Sequence, residues 1–521
     1  MIKKLLSFVL IFLLFANNSF ATVNWVRHSY FNNIGGLNDA FSPIAIEDNE
    51  ASDLQNVVLT TSGNWKTRSG FAKLNSTTLG ASVVCTGLKY YKLTSGTKFL
   101  VGIFDNDKIY KMDYQVGGGP DGTWDDITGS LSFAVDQDNL ASFAIGEDEL
   151  IIEDGLSTTA PSKWTGTGDA AVISGAPNAT MVAYHKRMAF AAGNNTNPST
   201  LYFTDVGDID NWTTALSGNI SVETNDGTVI RAIVPGFDAL YIAKDDSLWR
   251  LSGSDKDTFQ LQRMVSNVGT LSHQSVSLIG SDAFFVSSQG DVYLYDGAIS
   301  VKLMSTKIQG SIDGANFSRF QYAVGEVFDK DYYLSYSVVG NDTHNRVLVF
   351  DTFNLAWTKF KGMNANALAV ADDGNGKDML VFGDYTGFVY KYPSGTNDAG
   401  TAISAYYITK QYYFSNLKPQ KDWKLLKVFA NQKGSYNLIA ETRKDFQGTG
   451  TANSISLAGN SSLWGTAIYG VDFYGGQNLI IDRIEVKLAG DFYQIKFYNE
   501  NLDEPIEVKG WEMYLEEGDR Q

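Results

Sequence analysis

Three pairs of adjacent acids, Asp125/Asp126, Asp245/Asp246 and Asp372/Asp373, are the residues of this chain best suited to acid–base chemistry. Glycoside hydrolysis needs two carboxyls held at a set separation across a sugar. Neighbours in a turn do not provide that geometry, and aspartates in such turns commonly bond their own backbone. The run Asp372-Asp373-Gly374-Asn375-Gly376-Lys377-Asp378 gathers hard oxygen donors as a calcium loop does, but lacks the closing bidentate glutamate. A solvated hairpin turn accounts for it. Asp121-Gly122-Thr123-Trp124 pairs an acid with an aromatic in a way that staples a hairpin. The four histidines, His28, His185, His273 and His344, have no metal-ligand spacing, and Cys85 is the single cysteine. A zinc centre and an intramolecular disulfide are thereby disfavoured. No glycine loop with its lysine is present to cradle a phosphate. The expectation is a protein without catalytic residues, metal or cofactor.

The elements around these turns carry more information. Asp245-Asp246-Ser247-Leu248-Trp249-Arg250-Leu251-Ser252-Gly253 is echoed by Gln289-Gly290-Asp291-Val292-Tyr293-Leu294-Tyr295-Asp296-Gly297. Looser copies begin at Asn106 and Tyr385. Each is a polar turn followed by an alternating strand with a central aromatic. Such a unit cannot bury its own apolar face and must stack on its neighbours, as the blades of a β-propeller do. With 31 Phe, 27 Tyr, 10 Trp and 50 Gly, and no long stretch of helical period, composition agrees with an all-β chain. Strands are expected at Lys98–Phe104, Leu150–Glu153, Met181–Ala191, Ala239–Ala243, Ala283–Val286, Tyr332–Val338, Val347–Asp351 and Met379–Phe382. About six to eight four-stranded blades fit this length.

Four segments follow. Residues 1–21 carry Lys3 and Lys4, an apolar run from Leu5 to Phe15, and small residues before a cleavage point after Ala21, the pattern of a secretory signal. Residues 22–80 read as an extended N-terminal arm. Residues 81–395 read as the propeller. After the Pro393–Gly400 linker, residues 401–521 hold longer alternating strands, read as a β-sandwich, with Gln447–Asn460 as a mobile loop. The net charge of −17 argues against a protein that grips nucleic-acid phosphates, and suits a surface along which DNA slides.

Several stretches, taken in order, resemble the β-propeller virion proteins of tailed bacteriophages, a group that includes tail nozzles and packaged-DNA stabilisation proteins. They are Ser199–Asp205, Gly207–Thr213, Val229–Pro235, the Trp249 phrase, Val268–Thr270 with Ser272–Val276, and the Tyr293 phrase. Gly35-Gly36-Leu37-Asn38, Asp53-Leu54-Gln55-Asn56-Val57 and Arg68-Ser69-Gly70-Phe71 resemble that group's opening, where the chain staples onto a neighbour. Phe497–Asn499, Glu504–Val508 and Gly510–Tyr514 resemble its closing strands. The resemblance implies a non-enzymatic virion component in a ring of identical copies. Its partners would be portal, adaptor or other tail proteins, with double-stranded DNA passing without sequence-specific contact. Gly35, Gly36, Leu37, Asn38, Asp53, Leu54, Asn56 and Arg68 are the assembly residues it implies. Virion proteins usually have no export signal, so residues 1–21 support another reading: a secreted or periplasmic propeller that binds glycans or proteins at the cell surface. They also offer contact with a membrane.

Overall fold

Short alternating runs punctuated by Gly, Asp and Asn fold the middle of the chain into seven four-stranded antiparallel sheets, one after another. The computed structural model describes residues 25–414, 421–458 and 479–516; the signal-like segment lies outside them. Blade 1 runs from Cys85–Lys92 to Asp125–Asp126, blade 2 from Ser142–Gly146 to Ala171–Val172, and blade 3 from Met181–His185 to Gly218–Ser221. Blade 4 spans Ile230–Pro235 to Gln260–Ser266, blade 5 Ser277–Ile279 to Val301–Leu303, and blade 6 Val324–Phe328 to Ala356–Phe360. Blade 7 takes three strands from Ala367–Asp372 to Val389–Tyr392, and its outermost strand is Ala72–Lys73. Tyr390 pairs with Lys73 and Lys391 with Ala72, so a segment that precedes blade 1 completes the last blade. The first strand of every blade lines one central cavity. The fold is a β-propeller, with seven blades among the described residues.

All four copies of the repeated phrase occupy the same place: the third strand of blades 1, 4, 5 and 7. The expected single strand Met181–Ala191 is instead a tight hairpin, Met181–His185 and Met188–Ala192. Lys186 and Arg187 form its turn at φ +47° and +65°. Two consecutive positive φ values match the right-handed twist of the strands they join.

The second unit is a sandwich, and both ends of the chain build it. In one sheet, Glu507–Glu516 lies beside Lys421–Asn431 on one side, and pairs with Trp25–Phe31 and Trp65–Thr67. In the other, Glu50–Gln55 pairs with Ala405–Thr409, which pairs with Phe492–Asn499. The segment read as an arm is thus woven into the sandwich from Trp25 to Thr67. Between the sheets Trp65 stacks on Tyr407 at 5.0 Å, and Trp511, Trp423 and Phe497 are wholly buried. Aromatics of this size contribute a large part of a core's apolar burial. The Gln447–Asn460 segment is not simply a loop: Thr451–Ser456 forms a strand on Asn437–Lys444, anchored by the buried Ile455. Its Ser, Thr and Asn residues obscured a strand whose other face is wet; Gly459 is a position of that reading, with Asn460, that lies outside the described residues.

The sandwich rests on the outermost strand of blade 6. One continuous core joins Phe350, Tyr332 and Trp357 of the propeller to Trp65, Tyr407 and Trp511 of the sandwich.

Candidate functional site

The residues singled out in the N-terminal segment converge at this propeller–sandwich junction. Gly36 has φ +71°, and a Cβ there would stand 2.6 Å from the Trp357 carbonyl oxygen. A side chain would separate the two units. Gly35 packs equally closely on Glu50. Gly36-Leu37 runs parallel to Glu50-Ala51, and Leu37 and Leu54 have no exposed surface. Asn38 donates its side-chain amide to Glu50 Oε2 at 2.8 Å, and Lys307, just after blade 5, pairs with Glu50 Oε1 at 2.8 Å. Burial alone would raise the Glu50 carboxyl, but Lys307, the Glu47 N–H and Asn38 hold it below its ordinary value.

Asp53 bridges the units directly, with Lys359 of blade 6 at 2.9 Å and the Tyr406 hydroxyl of the sandwich at 2.9 Å. Asn56 donates its N–H to the Lys359 carbonyl and its side-chain amide to Ser404 O; its Oδ1 accepts from Arg68 Nε and Lys361 N. Arg68 is fully buried. It donates to Asn56, to the carbonyls of Ser69 and Lys361, and with both Nη atoms to Asp398. Burial raises the Asp398 carboxyl although Arg68 pulls it down. All eight residues are therefore placed at or beside one seam, and the partners described for them lie within the chain. Sequence reasoning did not single out Glu50 within the arm, and it missed Lys307, Lys359 and Asp398 because nothing local links these three to the arm. The one signal was Asp398 itself, a lone acid in an otherwise polar, glycine-rich linker.

The central cavity, about 630 Å³, is the second place to examine. Its volume is that of a small-molecule site. Glu326 is its carboxylate, accepting from Ser277 Oγ at 3.0 Å; burial raises it and Lys89 opposes that. Ser142 Oγ lies 3.1 Å from His273 Nε2, a contact with the outline of a nucleophile and its base. Two observations weaken that chemistry. Burial lowers His273 to about 4, and no acid orients its Nδ1. Ser142 Oγ is also engaged with the backbone of Val182 on blade 3.

One mouth of the cavity is bridged. The short 3-10 turn His273–Ser275, between blades 4 and 5, reaches blade 2 through Ser142 and through Gln274 Nε2 to the Ala141 carbonyl. Asn366, between blades 6 and 7, bonds the Gln137 carbonyl at 3.2 Å, and Arg319 grips Asp138 with both Nη atoms.

The acid pairs serve the turns and strands around them. Asp125 and Asp126 pair with Lys111 and Lys108, and Asp245 accepts from Val229 N and Arg231 Nε. Asp372 pairs with Lys98, while Asp373 accepts from the N–H groups of Asn375 and Lys377 within its own hairpin. Asp121 likewise accepts from Thr123 N, and Trp124 packs on Phe104. Among the described residues no three His, Cys, Asp or Glu side chains are grouped to hold a metal ion.

No family model matches the chain, and no curated protein does. Among solved structures it is similar to PorZ, described as an essential bacterial surface component of the type-IX secretion system of Porphyromonas gingivalis, at 13% identity and a TM-score of 0.38. That match covers 66% of this chain and 44% of PorZ, so the chain spans less than half of that protein's length. It is also similar to the Pan2 WD40 domain of Neurospora crassa (7% identity, TM-score 0.38, 65% of this chain and 98% of that one). A third similarity is to the AfRom2 CNH domain (10% identity, TM-score 0.38, 62% and 98%). Among the described residues, seven four-stranded sheets and a β-sandwich against blade 6 define the fold.

Proposed function

We propose that this chain is a non-enzymatic structural protein of a bacteriophage particle, in the tail or at the head-to-tail connection, where copies in a ring help retain the genome and then conduct it. The observation that supports this reading is the interlocking of the chain with itself. Trp25–Phe31 pairs along its length with Phe31↔Gly510 through Trp25↔Glu516, and Ala72–Lys73 closes the seventh blade. Load applied to either end is carried by strand pairing that reaches across the whole sequence. The ordered motifs that resemble phage propellers supply the place, and the charge of −17 suits a wall that repels a passing duplex. The DNA path in this proposal lies between subunits, since the propeller's own cavity is bridged at one mouth.

Deleting the gene from the phage that encodes it tests the proposal. The expected result is particles that lose their DNA or lack a tail structure. Normal titres of DNA-filled, tailed particles would overturn it. Recovery of the protein from the periplasm with Thr22 at its N-terminus would favour the exported, surface-binding propeller instead.

A further inference from the structure

The wall of the central cavity carries one ammonium and one carboxylate, Lys89 on the first strand of blade 1 and Glu326 on the first strand of blade 6. They stand at the same depth. At the bridged mouth Ala141 N and the Asn366 side chain donate to the carbonyls of Thr86 and Cys85, and Lys89 comes three residues after Thr86. Ser272, at the head of the His273–Ser275 turn, donates to the Ala323 carbonyl, and Glu326 comes three residues after Ala323. Three residues of strand are about 10 Å. Both charges therefore lie well inside the cavity, clear of the bridges.

The two do not pair with each other. Glu326 Oε1 accepts from Ser277 Oγ of blade 5 and from Val327 N, both at 3.0 Å, which fixes the carboxylate toward blade 5. Among the described residues its Oε2 accepts from no donor, yet that atom is not sealed away from the cavity. The Lys89 side chain likewise makes no ion pair or hydrogen bond among the described residues. The two groups still feel each other: burial raises the Glu326 carboxyl and Lys89 lowers it. His273 adds no third charge, because burial lowers it to about 4. Opposite charges left unpaired in an enclosed space are costly.

We infer that the central cavity binds a compact zwitterion of the amino-acid class, a free apolar amino acid or a dipeptide, with its ammonium at Glu326 Oε2 and its carboxylate at Lys89. A simple anion drawn to Lys89 meets Glu326, and a simple cation drawn to Glu326 meets Lys89. A zwitterion answers both charges and is oriented by them. The cavity volume of about 630 Å³ accommodates such a ligand. Ile145, Val234, Leu278 and Val370 are among the apolar residues of the wall that would surround its body. The inference does not depend on the virion proposal, in which DNA passes between subunits.

Isothermal titration of the full chain with L-leucine and with the dipeptide Leu-Leu tests it. One-site saturation is expected for at least one of the two. The N-acetylated form of that ligand, which lacks the ammonium, and its C-terminal amide, which lacks the carboxylate, should each bind at least about tenfold more weakly. Glu326→Gln should erase the penalty for acetylation and keep the penalty for amidation; Lys89→Met should do the reverse. Lys89 has no internal partner to lose, and glutamine retains an oxygen for Ser277 and Val327, so Tm should hold in both. The four ligand forms on the unaltered chain decide the matter even where a variant folds poorly. No saturable heat for either zwitterion at about 1 mM, or equal binding of the blocked forms, would overturn the inference. So would folded variants that leave both penalties unchanged.

Discussion

Arg68 and Asp398, 330 positions apart, form a two-pronged ion pair, Nη1 to Oδ1 at 2.8 Å and Nη2 to Oδ2 at 2.6 Å. The arginine side chain has no exposed surface and the aspartate 8%. The pair ties the strand segment before blade 1 to the linker after blade 7, at the point where propeller and sandwich join. Breaking one partner of such a pair leaves a buried, uncompensated charge, at a cost of about 3–5 kcal/mol. Asp398→Ala should lose roughly that much in urea unfolding, and Arg68→Met with Asp398→Ala should lose less than the sum of the two single changes. Additive losses would show that the two side chains do not act as a pair.

Gly36→Ala combines an unfavourable φ with a collision against the blade 6 backbone. The expected loss is about 1–3 kcal/mol from the backbone term alone, with more from the displaced interface. The readout is denaturant unfolding of the isolated chain. Unchanged stability would mean that the glycine is not required at this contact.

Asn75 guards the closure of the ring. Its side chain accepts from Val389 N at 2.7 Å and donates to the carbonyls of Thr77 and Gly387. Asn75→Ala should cost about 1–3 kcal/mol by leaving the Val389 N–H unpaired. Hydrogen exchange should accelerate first at Val389–Tyr392. Uniform acceleration across all blades would contradict a local opening at the closing strand.

Asp331, at the first hairpin of blade 6, is raised to about 7 by burial and then by Asp351. In the unfolded chain an aspartate titrates near ~3.9. The folded form therefore binds the proton more tightly, and stability falls as pH rises from about 4 to about 7. Asp331→Asn should be the more stable protein at pH 8, by on the order of 1 kcal/mol after allowance for solvent screening. That corresponds to about 1–3 °C in Tm, fading by pH 4. Equal melting temperatures at both pH values would contradict it.

Strands with strong alternation were legible in the sequence nearly to the residue. Lys98–Phe104 coincides with its strand, and Val347–Asp351 falls one residue short of Arg346–Asp351. The repeated phrase was legible as a blade unit, because a central aromatic and a tight turn recur at the third strand of four of the seven blades. Pairings across hundreds of residues were not legible. Ala72–Lys73 is too short to have a period, and its role depends on Tyr390 and Lys391, more than 300 residues away. The junction was half visible: glycines and polar residues of the N-terminal segment stood out, but Lys359 and Asp398 have no local feature that ties them to Asp53 and Arg68.

Cryo-electron microscopy of the intact particles tests the central claim most directly. The account predicts density for a ring of seven-bladed propellers, each with its sandwich against blade 6, around the DNA axis of the tail or the head-to-tail connection. Particles resolved along that axis without this fold would contradict it.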